Sequence, residues 1–275
     1  MKKTNYLIAL MLLGVGLISS SCDEDSTPVP APTLVKSWMI NLSNKNEIPA
    51  TASRNESGMA TLELYSDNSL KYTINVTGLA SGDALTNSHI HVGNVISNGG
   101  VVLDLKPSFS SNNATATIPN LRPSFVDSLK SDANDLYINV HSSQLTAGIV
   151  RGQLNKVIDV AADVVLSGAN EVPSVTTTAT GLATIRVTSD KTLYIKTVIS
   201  NLESTDAMTA AHLHKAAAGA NAGVLIGFYA NTADFGTTKI LPLTDAIYNS
   251  LKSDAVYVNA HSTLKTSGLV RGQIR

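Results

Sequence analysis

The chain is almost without cysteine. Cys22 is the only one in 275 residues, so no disulfide can form within it. Aromatic residues make up only 5% of the chain, which is thin for a surface that stacks sugars and argues against carbohydrate binding. Neither sign of charge dominates: 20 Lys and Arg stand against 21 Asp and Glu, for a net charge of −1. There is therefore no basic field for nucleic acid and no charge that would recruit anionic lipid; no nucleic-acid partner is expected. No phosphate loop, dinucleotide fingerprint or strand–turn–helix nucleophile elbow is present, which removes the nucleotide-binding and Ser/His/Asp hydrolase classes. Long apolar runs are also missing. The one at the front, Tyr6 to Ile18, is short of the roughly 20 residues a spanning helix needs.

That front segment reads as an export signal. Lys2 and Lys3 precede the apolar run, and Ser19-Ser20-Ser21-Cys22 follows it: a basic start, a short apolar middle and small residues at the cut. Residues 1–21 are the expected signal peptide. Cys22 sits where a bacterial lipobox places the cysteine that is lipidated and becomes the mature N-terminus; ordinary cleavage leaving a free thiol is the alternative. Asp23-Glu24-Asp25-Ser26 resembles the acidic tag that follows the lipidated cysteine in surface lipoproteins of Bacteroidetes-type bacteria. Thr27 to Thr33 carries three prolines and reads as a stiff extended tether, so 22–35 forms anchor and spacer. The expectation is an exported protein held by lipid to an outer membrane or cell surface, with no membrane contact besides the anchor.

The remainder is written twice. Asn46-Glu47-Ile48-Pro49 returns as Asn170-Glu171-Val172-Pro173, and Gly58-Met59-Ala60-Thr61-Leu62 as Gly181-Leu182-Ala183-Thr184-Ile185. Tyr137-Ile138-Asn139-Val140-His141-Ser142 returns as Tyr257-Val258-Asn259-Ala260-His261-Ser262, and Gly148-Ile149-Val150-Arg151-Gly152-Gln153 as Gly268-Leu269-Val270-Arg271-Gly272-Gln273. The order is constant and the period is about 120 residues. Solenoid and propeller units repeat at roughly 20–50 residues, so this is a duplicated domain, 36–157 and 158–275. Short β-branched runs alternate with turn residues in each copy, which predicts an all-β fold: two tandem Greek-key sandwich or barrel domains. One short helix is expected in a long connection of each, over Ser124–Lys130 and Thr244–Lys252, the latter with Ala246, Ile247 and Leu251 on its apolar face.

All six histidines belong to the repeat: His89, His91 and His141, then His212, His214 and His261. Strand alternation puts Ile90 and Val92 on one face and His89 and His91 on the other, with Tyr137, Asn139 and His141 as a polar row opposite Ile138 and Val140. The second copy repeats the pattern. Same-face neighbours on a strand stand about 6.6–7 Å apart, a spacing at which two imidazoles and a third from a neighbouring strand can converge on one ion. Three histidines with an open fourth position are the ligand set of an exchangeable or catalytic copper or zinc site. The alternative is that the imidazoles bond to each other, to Asn139 and Asn259, or to loop carbonyls, and only pin the connections. No acidic residue sits beside the histidines in both copies, as a catalytic metal would want. Glu47 and Glu171 read as turn caps. Arg151 and Arg271, with Gln153 and Gln273 on the same face, could guide an anion to the histidines, but bonding to backbone carbonyls across the sheet is the stronger reading. Asn139, Arg151, Asn259 and Arg271 are thus candidates for supporting the triplets from behind.

Taken together, the order Asn-Glu-x-Pro, Gly-x-Ala-Thr, His-x-His, Tyr-x-Asn-x-His-Ser and Gly-x-x-Arg-Gly-Gln resembles the CHRD domain, named for chordin and found alone or in tandem in bacterial secreted proteins. The resemblance covers nearly all of both copies and implies an extracellular β-domain; in chordin the domain belongs to a growth-factor-binding protein. The second copy departs from the usual glycine-containing stretch after His-x-His, reading Lys215-Ala216-Ala217-Ala218-Gly219. A more remote likeness is to copper–zinc superoxide dismutase, a Greek-key barrel that holds copper on an outward His-x-His and a later strand histidine. Its bridging histidine, zinc aspartate and disulfide have no counterparts here. The expected function is a surface lipoprotein presenting two β binding modules to an unidentified protein or small ligand, non-catalytic, with a histidine-bound metal in each. The alternative is a secreted metalloenzyme with superoxide-related or other redox chemistry.

Overall fold

A computed structural model describes residues 30–275. The signal peptide expected over 1–21, Cys22 and most of the tether lie outside the described residues. The first half contains β1 (Leu34–Ser43), β2 (Ser57–Tyr65), β3 (Leu70–Thr77), β4 (Leu85–Val92), β5 (Val101–Asp104), β6 (Asn113–Ile118), α1 (Pro123–Lys130), β7 (Leu136–Ser142) and β8 (Val150–Gln153). The second half repeats this order as β9 (Ile158–Ser167), β10 (Thr180–Thr188), β11 (Thr192–Ser200), β12 (Met208–Lys215), β13 (Val224–Tyr229), β14 (Thr238–Pro242), α2 (Asp245–Ser253), β15 (Val256–Ser262) and β16 (Val270–Gln273).

Each half is one curled, barrel-like antiparallel sheet of eight strands. The orders are β5-β4-β7-β8-β1-β2-β3-β6 and β13-β12-β15-β16-β9-β10-β11-β14. The all-β tandem architecture predicted from the repeat is thus the architecture found. Alternation drives the curl: in β1 Trp38, Ile40 and Leu42 are buried while Met39 and Asn41 face outward, and each sheet closes over its inward residues. One core holds Leu62, Leu64, Ile74, Ile90, Ile138 and Val140; the other holds Ile185, Val187, Ile195, Leu213, Val258 and Ala260.

The helices plug the connections before β7 and β15. α1 opens with a proline at its first turn, where the missing N–H costs nothing, and buries Phe125, Val126 and Leu129. α2 is capped by the Thr244 side chain, which accepts from the Ile247 amide. Its apolar face differs from expectation. Ala246 is exposed, and Ile247, Tyr248 and Leu251 pack on the core instead: Tyr248 lies three residues before Leu251 on the same side and offers far more area than a methyl group.

The halves pack directly on each other. Val95 and Ile96, on the loop between β4 and β5, together with Ile48 meet Tyr194 and Ile158 of the second half. A polar clasp flanks this patch. Arg186, fully buried on β10, donates to the Glu47 carbonyl at 2.8 Å and pairs with Asp163 at 2.8 Å. Asp163 also accepts from the Ala50 amide at 2.8 Å. Replacing Arg186 with Ala would leave a largely buried carboxylate and a buried carbonyl without their donor. The expected cost is about 3–5 kcal/mol, read as a lower midpoint in equilibrium denaturation.

Candidate metal centre

Strand register assembles each triplet. β4 and β7 pair antiparallel with Asn87 opposite His141, His89 opposite Asn139 and His91 opposite Tyr137. His89 and His91 therefore project from the same face, and His141 lies diagonally across from His89. The rings meet: His89 Nδ1 is 2.8 Å from His141 Nε2, and His212 Nδ1 is 3.1 Å from His261 Nε2. In each half, one ligand atom from each of the three histidines lies within 4.8 Å of the others, so either triplet could hold a metal ion. The rings lie outside the apolar cores, half-buried beneath loops; His214 is buried outright.

Hydrogen bonds fix which nitrogen is available. His91 Nδ1 lies 3.0 Å from the Gly99 carbonyl and His141 Nδ1 lies 2.9 Å from the Thr146 carbonyl. In the second half, His214 Nδ1 meets the Ala222 carbonyl at 2.9 Å and His261 Nδ1 the Thr266 carbonyl at 3.0 Å. A carbonyl only accepts, so each of these Nδ1 atoms carries the proton and each Nε2 is left with a lone pair. The buried Nε2 atoms of His91 and His214 have no hydrogen-bond partner. Burial also lowers the pKa of His91, His141, His212 and His261 below the usual histidine value, which keeps these rings neutral near pH 7. Neutral, oriented imidazoles with the outer N–H tied to backbone carbonyls are what metal ligation requires.

Behind each triplet stands a stack that sequence reasoning did not anticipate. Tyr137 lies flat against His91, ring centroids 4.9 Å apart, and the Arg151 guanidinium sits 3.5 Å from the centre of the Tyr137 ring. His214, Tyr257 and Arg271 repeat the pile at 4.8 and 3.4 Å. A desolvated cation–π contact of this kind is worth about 2 kcal/mol or more. Arg151 is fully buried and its donors go to the Asn94 and Ser97 carbonyls, Asn98 and Gln153. Arg271 grips the Ala217 and Ala220 carbonyls and Asn221. Both arginines thus fasten the loop that carries the carbonyl acceptor of the second histidine. Gln153 and Gln273 hold the start of the same loop at Gly93 and Ala216.

Asn139 and Asn259 turn away from the histidines. Asn139 Nδ2 donates to both carboxyl oxygens of Glu47 at 2.9 and 3.0 Å, and Asn259 does the same to Glu171. Burial raises Glu47 to about 8 and Glu171 to about 7. Neither glutamate side chain caps its turn; each is a buried anchor for the asparagine two residues before the third histidine. Gly148 closes this pocket at φ 144°, where a Cβ would come within 2.5 Å of Asn139 Nδ2, so only glycine fits. A cavity of about 350 Å³ opens beside the first triplet, lined among others by Glu47, Pro49, His91, Tyr137 and Asn139. The recurrence of Asn-Glu-x-Pro alongside Tyr-x-Asn-x-His was the one signal in the sequence that could have paired the glutamate with the asparagine.

Family comparison matches the CHRD domain twice, over residues 39–154 and 162–274. The chain belongs to the CHRD family. No curated protein and no solved structure matches it. The CHRD motifs map onto the structure as a unit: Asn-Glu-x-Pro supplies the buried carboxylate, His-x-His and Tyr-x-Asn-x-His the triplet and its stacked ring, and Arg-Gly-Gln the loop fastener.

The depressed histidine values carry a pH sign. A group whose folded pKa lies below its unfolded one stabilises the fold above the unfolded value, near 6.5, and that contribution is lost as pH falls through the folded value. The raised Glu47 and Glu171 act in the opposite sense over this interval, because their folded carboxyls hold a proton that the unfolded ones release, so the histidine part is read as a difference between variants. With His91, His141, His212 and His261 all replaced by Gln, the urea midpoint of the metal-free protein should fall less, or rise more, between pH 7.5 and 5.5 than that of the parent chain.

Proposed function

We propose that this CHRD protein is exported, anchored by a lipid on Cys22 to the outer membrane or cell surface, and used there as a pair of binding modules, each holding a copper or zinc ion on its histidine triplet. The observation that carries the metal reading is the convergence of one Nδ1 and two Nε2 atoms, with the second and third rings locked by backbone carbonyls in the ligating tautomer. Three imidazole nitrogens and an open fourth position suit zinc or copper rather than magnesium or calcium. In such a site the ion would act as a Lewis acid or redox centre, and the protein would orient the rings. The natural partner is a protein or small ligand at the cell surface. The anchor reading rests on Lys2-Lys3, the Tyr6–Ile18 run, Ser19 to Cys22 and the acidic and proline-rich segment after it.

A second reading, redox turnover, draws on the cavity beside His91, which would give a small molecule access to the fourth position. Elemental analysis of the mature protein after equilibrium dialysis against excess copper or zinc is the test. Bound metal near two per chain, falling to one with His89→Ala or His212→Ala and to none with both, is the expected result. A metal-free protein that stays metal-free after reconstitution would sink the reading, and turnover above that of the free ion would move it to the enzyme. A bound ion at 100 times its Kd should also stabilise the fold by about 2.7 kcal/mol per site. Cys22→Ala should release the protein from the membrane fraction.

A further inference from the structure

The two triplets are alike where their nitrogens converge and unlike behind the first histidine. In the first domain the Nε2 edge of His89, the edge turned from His141, meets Asn87 Nδ2 at 3.0 Å and Asp104 Oδ1 at 3.7 Å. Register explains the Asp104 contact: β5 places it directly opposite His89. In the second domain the residue opposite His212 is Gly227, and the position matching Asn87, opposite His261, is Ala210. Neither offers a polar side chain.

An imidazole that coordinates through Nδ1 carries its proton on Nε2. At 3.7 Å Asp104 is not hydrogen-bonded to Nε2, which accepts from Asn87 in the metal-free tautomer. When the proton moves to Nε2 on metal binding, the nearby carboxylate favours it there by its charge, and removing a carboxylate partner of a ligating histidine commonly weakens metal binding by about 10–100-fold. Its negative charge also offsets part of the ion's own. Asp104 lies on the far edge of the ring from Nδ1, so it serves as a positioning residue and not as a fourth ligand. Its other carboxylate duty is local, accepting from the Lys106 amide at 3.0 Å.

We infer that the two sites are unequal: Asp104 makes the first-domain triplet the tight metal site, and the second-domain triplet, with Gly227 in its place, is the weak and exchangeable one. This rests on the metal-site reading above. It divides the protein's work between a module that stays loaded and one that takes up and gives back its ion as the surroundings change.

The test is titration of Zn2+ alone into chelator-stripped mature chain against a competing chelator. His214→Ala leaves the first site to be read and His91→Ala the second. The expected result is a Kd at the first site lower by about 10-fold or more. Asp104→Asn, which keeps the side chain's shape, should remove most of that advantage without changing the melting temperature of the metal-free chain. Gly227→Asp supplies the missing carboxylate: a Cβ at this position would stand 4.0 Å from His212 Nε2 and 3.3 Å from its Cδ2, so the ring must yield slightly. That variant should tighten the second site, a gain that a merely structural aspartate would not confer. Equal affinities at the two sites, or an unchanged first site in Asp104→Asn, would overturn the inference while leaving the metal reading intact. Zinc binding at neither site would overturn both.

Discussion

A guanidinium buried to the last atom holds each site together. Arg151 and Arg271 sit in the interior of a β-protein with no carboxylate among the described residues in hydrogen-bonding reach; their terminal nitrogens donate to loop carbonyls and an asparagine oxygen and their planes cover a tyrosine face, while Nε of Arg151 has no partner. Arginine tolerates this because its planar charge is delocalised and presents a fork of donors; lysine could not span the same acceptors. The loop it fastens returns a carbonyl to the second histidine, and the tyrosine it covers lies flat on that histidine's ring. Ring orientation and tautomer both descend from one side chain that never touches the imidazole.

The third histidine is set by a different device. Its strand neighbour Asn139 or Asn259 is tied to a buried glutamate, and its Nδ1 is met by a carbonyl from the turn that follows β7 or β15. Two independent supports thus converge on one cluster: the arginine-held loop on one side and the glutamate-held turn on the other. A site that only needed hydrogen-bonded histidines would not require both, since His89 and His141 already satisfy each other.

Much of this was legible before any coordinates. The duplication, the β class, the helix before each third histidine and the shared face of His89 and His91 follow from alternation and repeat spacing, which are local properties. What escaped was tertiary. Tyr137 falls on the polar side of its strand, and nothing in its sequence surroundings says that it will be sandwiched between His91 and Arg151. Glu47 lies some ninety residues before Asn139 and reads as a turn residue, because a carboxylate next to a proline looks the same whether its side chain faces water or the interior. Asp104 is visible as a charge on a short strand, but its place behind His89 depends on a pairing register that crosses a bulge. Ala246 was misplaced because helical spacing alone does not weigh a methyl group against a tyrosine ring.

The clasp between the halves has a consequence for how the chain can associate. It needs an apolar knob, Val95 and Ile96, on one body and an arginine–aspartate pair, Arg186 and Asp163, on the other. At the matching places the second domain offers Ala218 and Gly219 and the first offers Glu63 and Met39. The rear of the molecule thus lacks the knob and its front lacks the socket, and a glutamate at position 63 would confront a carbonyl where an arginine once met one. Duplicated domains that stack front to back carry an inherent hazard of growing into filaments. A further copy docking in the same way would meet four residues that do not fit this clasp, Ala218 and Gly219 at one end and Met39 and Glu63 at the other.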